Sequence, residues 1–182
     1  EVLLFVGRLS RAKGLDMLLQ AFILIQELRP GVRLLPLGRG PYEEALKAKQ
    51  AKLGLKNLVI FAGAVPHEEV PGYYAAADVF VFPSTTETQG LVIIEAMAAG
   101  LPVVAVRAPG SSDVLTEGGG VLTENKPEVF AREVVDILAD SDRQRELSNQ
   151  ARRAVERYSI SDATERMFNA YETALDSWES RD

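Results

Sequence analysis

The sequence has no cysteine and a single histidine, His67, among its 182 residues. Without thiols, disulfide cross-links, thiolate zinc centres and a cysteine nucleophile are excluded. Positive charge is also scarce, with 20 Lys and Arg against 26 Asp and Glu and a formal net charge of −6. Broad phosphate binding depends on accumulated positive charge, so a nucleic-acid surface is not expected. Long hydrophobic runs are missing too. The longest candidates are cut by Pro83, Glu95 and Gly100, far below membrane-spanning length. The opening residues do not read as a secretory leader, so none is expected. A cytoplasmic setting fits these absences.

What is present is ordinary for a globular domain: 47% apolar and 25% charged residues, enough for one sizeable core. The chain enters an apolar run directly at residue 2, without an initiating Met. The expectation from this is a fragment whose preceding part is missing.

Short β-rich runs alternate with segments of helical period. Strands are predicted at residues 2–6, 32–37, 58–61, 78–82, 102–106 and 121–123. Helices are predicted at 14–28, 41–53, 68–77, 90–99, around 113–116, and at 127–138, 142–158 and 162–178. Ser161 is the expected N-cap of the last helix. Pro36 has no N–H for a ladder, so it should lie at a strand end or a bulge. The alternation predicts an α/β fold, a Rossmann-like parallel sheet with helices on both faces. Ligands of such sheets bind at the carboxyl ends of the strands.

Three segments sit at such ends. Gly7-Arg8-Leu9-Ser10-Arg11-Ala12-Lys13-Gly14 follows the first strand and leads into a helix. Arg8 by its fork and Lys13 as a point charge suit a diphosphate there, helped by the helix N-terminus. A solvated charged loop is the alternative. Gly38-Arg39-Gly40-Pro41 has G-x-G without the third glycine of the dinucleotide fingerprint. It reads either as a tight turn or as close backbone approach to a nucleotide.

The third segment runs from Pro83 to Val104, with Glu87 just before a helix and Glu95 about a turn and a half inside it. The two carboxylates do not share a helical face, but both can border a crevice above the strand ends. Between them, the N–H groups of Gln89, Gly90 and Leu91 open the helix. Glu95, among Val92, Ile93, Ile94 and Met97, is expected to face inward and need partners such as ribose hydroxyls. The alternative is a surface-facing Glu on an apolar helix. Asp140-Ser141-Asp142 spells the D-x-D of metal-dependent sugar transferases, yet Asp142 there would cap the next helix. His67 reads as a solvated side chain.

Taken together, Gly7-Arg8 with Lys13-Gly14, Gly38-x-Gly40-Pro41 and the Glu-x7-Glu segment ending in Glu-Ala-Met-Ala-x-Gly-x-Pro-Val-Val resemble the family-four retaining glycosyltransferases (glycosyl transferases group 1) of GT-B fold. The resemblance implies a C-terminal, donor-binding domain over residues 1–158, with 159–182 as a crossover-type helix packing on an N-terminal acceptor domain absent from this chain. It implies catalytic roles for Arg8, Lys13 and Glu87. Donor contacts are implied at Gly7, Arg8, Lys13, Gly38, Arg39, Val65, Glu87, Thr88, Gln89, Gly90, Leu91 and Glu95. Arg8 and Lys13 would hold the diphosphate, Glu87 the sugar, Glu95 the ribose, and the loop at Val65 the base.

The partners implied are a nucleoside diphosphate sugar, the N-terminal domain and a lipid or sugar acceptor, with no metal, no cofactor, no nucleic acid and at most peripheral contact with the inner membrane face. The form Thr86-Glu87-Thr88-Gln89-Gly90-Leu91 resembles synthases that glucosylate diacylglycerol from UDP-glucose. A GDP-mannose-dependent mannosyltransferase is the enzymatic alternative, and a non-catalytic nucleotide-binding module the alternative of another class. Two positions depart from the family pattern: Arg39, and Ala108-Pro-Gly-Ser-Ser-Asp113 in place of Gly-Gly-x-x-Glu.

Overall fold

The computed structural model describes residues 1–179; residues 180–182, the end of the 159–182 segment, lie outside it. Five short apolar runs pair as one parallel sheet. β1 (Val2–Val6), β2 (Arg33–Leu37), β3 (Val79–Phe82), β4 (Val103–Val106) and β5 (Gly120–Thr123) stand in the order β2-β1-β3-β4-β5. β3 and β4 are buried along their whole length, and both read as unbroken apolar runs because helices cover both of their faces. Register places Leu3 against both Leu34 and Val79, and Phe80 against Val103.

The helices are α1 (Leu15–Leu28), α2 (Glu43–Lys52), α3 (Val70–Ala75), α4 (Leu91–Ala98), α5 (Pro109–Val114), α6 (Pro127–Ala139), α7 (Ser141–Ala154) and α8 (Ile160–Glu179). Right-handed crossovers put α1 and α2 on one face and α3 and α4 on the other, because the strand order runs outward both ways from β1. α6 returns to pack on α1, and α7 closes against α4. Phe5, Phe22, Phe80, Phe82 and Phe130 fill the core between these layers.

Several expectations are corrected. Residues 58–61 form no regular strand. Segment 58–63 runs beside β2 through Leu34 N–H to Leu58 O, Ile60 N–H to Leu34 O and Ala62 N–H to Pro36 O. Only the bridges Leu34–Val59 and Leu37–Gly63 meet strand geometry. Pro36, one residue from the end of β2, turns its missing donor toward this segment and interrupts that ladder. Counting the segment as an edge restores the 3-2-1-4-5-6 order of a Rossmann sheet.

The predicted helix at 68–77 begins as a 3₁₀ turn, His67–Glu69, before α3. The short helix expected around 113–116 starts earlier, as α5, and passes into a 3₁₀ turn at Leu115–Glu117. α7 is capped by Asp140 rather than Asp142: the Asp140 carboxylate accepts from Asp142 N and Arg143 N, both at 3.0 Å. It ends at Ala154, and residues 156–158 form a separate 3₁₀ turn. The last helix is capped by Ser159, whose Oγ accepts from Asp162 N, rather than by Ser161. In both cases a neighbouring cap competes, and the start of the helix decides which one is used.

Candidate functional site

The sheet order reverses at β1 and β3, so their carboxyl ends diverge into a crevice. After β1 the chain makes a 3₁₀ turn at Arg11–Lys13 and enters α1 through Gly14, which is left-handed at φ 68°. A Cβ on Gly14 would stand 2.2 Å from Pro83 O, so only glycine lets this turn lie against the end of β3. From β3 the loop 83–90 is tied on both sides. Thr86 Oγ1 donates to Ala12 O at 3.2 Å, and Gly110 N–H to Glu87 O at 3.1 Å. Gly90, left-handed at φ 66°, then opens α4.

This clamping sets Lys13 Nζ 2.7 Å from Glu87 Oε2. The hydrogen bond from Lys13 is the main reason the Glu87 carboxyl lies below the usual carboxylate range; partial burial opposes it, and the Gly90 N–H adds to it. The Lys13 ammonium also lies 5.7 Å from the centre of the Phe82 ring. Arg8 is exposed at the rim without an ion-pair partner among the described residues. Gly7, Arg8, Lys13, Glu87, Gln89 and Leu91, with Val6, Phe82 and Val92, line one cleft of about 260 Å³. Its charge is cationic at the rim and paired at the base.

The helix opening differs from its expected form. Glu87 Oε1 accepts from Thr88 N (3.3 Å) and Gly90 N (3.4 Å), so the carboxylate ties the loop that leads into α4, while α4 itself has no side-chain cap. Leu91 N and Val92 N have no acceptor among the described residues, as the first turn of a helix leaves them.

Other predicted positions fall elsewhere. Glu95 does not face inward. It is exposed, while Ile93, Ala96 and Met97 take the buried positions of α4. The apolar context misled because α4 is covered on more than one side, leaving a narrow exposed strip for Glu95. Its Oε2 accepts from Tyr74 OH at 2.9 Å, and it lines a second cavity of about 390 Å³ with His67, Val70, Pro71 and Tyr74. His67 is exposed there.

Val65 packs against the hydrophobic core and lines neither cavity. Gly38 and Gly40 serve the chain's own packing. A Cβ on Gly38 would stand 2.1 Å from Gly7 O, and one on Gly40 2.2 Å from Leu9 O. Arg39 lies exposed over Gly63, and Thr88 is exposed beside the cleft. Asp142 pairs with Arg145, and no three acidic or His side chains gather as a metal-ligand set among the described residues.

Sequence reasoning missed Tyr74, Phe82 and the clamping role of Gly14 and Gly110. Phe82 was visible as the last residue of a strand ending at the crevice. Tyr74 was not, since only the packing of α3 on α4 brings it to Glu95.

Comparison with known proteins agrees with this architecture. Residues 1–154 match the family described as glycosyl transferases group 1. The chain is 36% identical over 148 residues to a GDP-mannose-dependent α-(1-6)-phosphatidylinositol monomannoside mannosyltransferase of Mycolicibacterium smegmatis, covering 76% of this chain and 39% of that protein. The crystal structure of Anabaena Alr3699/HepE with UDP and glucose superposes with a TM-score of 0.84 at 28% identity, over 94% of this chain and 48% of that one. The C-terminal domain of the group 1 family protein LpcC from Francisella tularensis superposes with a TM-score of 0.79 at 25% identity, over 87% and 86%. The chain thus spans about two-fifths of the length of the curated relatives it matches. With a GT-B-type α/β sheet and a family match over most of its length, this chain belongs to the glycosyl transferases group 1 family.

Proposed function

We propose that the chain forms the donor-binding half of a retaining glycosyltransferase that moves a hexose from a nucleoside diphosphate sugar to a hydroxyl acceptor. The observation that carries this reading is the Lys13–Glu87 pair at the sheet's switch point, with Arg8 unpaired at the rim of the same cleft. The chemistry requires a departing diphosphate to be stabilised. Lys13 and Arg8 supply fixed positive charge, and Leu91 and Val92 offer N–H groups without acceptors at the opening of α4. A diphosphate would compete with Glu87 for the Lys13 ammonium and free that carboxylate for sugar hydroxyls. Glu95 takes the ribose. Neither a metal nor a cofactor is assigned a role; the charge stabilisation comes from the protein.

UDP-glucose is the preferred donor in this reading, on the Thr86–Leu91 sequence and on the UDP and glucose bound by the Anabaena protein. GDP-mannose is the second reading, favoured by the M. smegmatis relative. The acceptor is a lipid or sugar hydroxyl presented by a preceding domain. α8 supports such a domain, because Phe168, Tyr171, Leu175 and Trp178 lie along it and are each more than 60% exposed. No helix among the described residues is long and apolar enough to cross a membrane; a cytoplasmic setting with at most peripheral membrane contact is part of the proposal.

The test is calorimetric titration of this chain with UDP, GDP and ADP, followed by assay of which diphosphate the full-length enzyme releases. Binding of one of them supports the donor site and names the base. Binding of none would replace this reading with a non-catalytic interaction module on the same fold.

A further inference from the structure

Glu95 stands on the second turn of α4 with its side chain exposed. A free glutamate there samples many rotamers, and ordering it would fall on the ligand at the moment of binding. One group limits that freedom. Tyr74 on α3 is 3% exposed, and its ring packs against Phe80 with centroids 5.8 Å apart. Its two side-chain torsions are therefore fixed by the core. Its hydroxyl points across to α4, 2.9 Å from Glu95 Oε2 and 3.3 Å from Val92 O.

With a single hydrogen to give, the hydroxyl serves the nearer and charged acceptor, since hydrogen bonds to ions are the stronger kind. Burial, then the adjacent Glu95 charge, raise the phenol's pKa, so it keeps that hydrogen throughout the working pH range. Glu95 Oε1 has no protein donor among the described residues. The carboxylate is therefore held at one oxygen and presented at the other.

We propose that Tyr74 is a positioning residue, whose hydroxyl fixes the Glu95 carboxylate in the orientation that receives the vicinal diol of a nucleotide ribose. The proposal rests on the donor-site reading above. Val92 lines the cleft that holds Lys13 and Glu87, and its carbonyl lies beside the same hydroxyl. Leu91 and Val92, four and three residues before Glu95 on α4, line that cleft, so Tyr74 holds Glu95 on the stretch of helix surface that borders the diphosphate region. Phenylalanine would fill the core equally well, so packing alone does not account for the hydroxyl.

The experiment compares Tyr74→Phe with the wild-type chain by calorimetry, using UDP and GDP and their 2′,3′-dideoxy counterparts. Tyr74→Phe is expected to weaken the ribonucleotide that binds by about tenfold, as loss of a hydrogen bond to a charged group does. The dideoxy counterpart should change by less than about twofold on the same reasoning. Glu95→Asp leaves the core intact and draws the carboxylate back from both the hydroxyl and the diol, so it sets the reference for full loss of the ribose contact. It should lose the same discrimination between ribose and dideoxyribose. In a Glu95→Gln background, Tyr74→Phe should add little.

Equal weakening of both nucleotides would show a merely structural tyrosine and overturn the proposal. So would wild-type discrimination in Tyr74→Phe or Glu95→Asp. If the wild-type chain binds no nucleoside diphosphate, the donor-site reading itself fails. That result is distinct from a wild-type chain that binds while the variants discriminate normally.

Discussion

Lys13 Nζ lies 2.7 Å from Glu87 Oε2 and joins the turn after β1 to the loop before α4 across 74 residues of sequence. Both side chains are less than one-quarter exposed, so the pair is shielded more than an ordinary surface ion pair. It also occupies the place where the proposed chemistry needs a cation. In the proposed reading the same contact organises the cleft and competes with the diphosphate.

The first prediction concerns the cations. In the full-length enzyme, Lys13→Ala and Arg8→Ala should each lower turnover by about 10²-fold or more, as removal of a charge-stabilising donor does. Steady-state rates with the preferred donor measure this. Near-wild-type turnover in both variants would remove them from the mechanism.

A pH dependence follows from the Glu87 carboxyl, held below its ordinary range chiefly by the Lys13 hydrogen bond. A carboxyl lowered in the folded state stabilises the fold above the unfolded-state pKa, about 4.3. That contribution is lost as pH falls through the lowered folded value. Wild type should therefore lose stability relative to Glu87→Gln as pH drops from about 5 to below 4. Denaturant melts of the two proteins at several pH values check it, and parallel curves would show that the pair contributes nothing.

Much of the fold was legible because its signals are local. The strands predicted at 78–82 and 102–106 are short apolar runs next to Pro83 and Pro102, and they form β3 and β4, buried throughout. Gly7, Arg8, Lys13 and Glu87 were legible as a group because each sits at a strand end or helix start, and the parallel sheet gathers such ends. Glu95 shows the limit. Its neighbours implied burial, but which strip of α4 stays uncovered depends on where α3 and α7 pack. The edge segment 58–63 shows another limit, since its strand character was decided by Pro36 on a different segment.

Two glycines separate close packing from helix propensity. Gly40 has no positive φ, yet a Cβ there would meet Leu9 O at 2.2 Å. Gly40→Ala should destabilise by about 1–3 kcal/mol through a forced backbone shift. Gly72 lies inside α3 with nothing within 4 Å of its Cβ position. Gly72→Ala should stabilise by about 0.5–1 kcal/mol, since alanine loses less backbone freedom in a helix. Thermal unfolding of both variants gives the signs, and a stable Gly40→Ala would contradict the loop contact.

The D-x-D segment offers a prediction that turns on which carboxylate does what. Asp140 accepts from the first free N–H groups of α7, those of Asp142 and Arg143, whereas Asp142 meets only the exposed Arg145 one turn on. Asp140→Ala should cost about 0.5–2 kcal/mol, the usual loss for an N-cap. Asp142→Ala should cost less, because exposed helix ion pairs three or four residues apart contribute only about 0.2–0.5 kcal/mol. Asp142 also favours the helix N-terminus by its charge, so its effect should shrink in high salt while that of Asp140 largely persists. Denaturant melts at low and high ionic strength separate the two. A larger loss at Asp142 would return the cap to that residue. A rise in stability on adding divalent metal, abolished by either substitution, would instead make the segment a metal site.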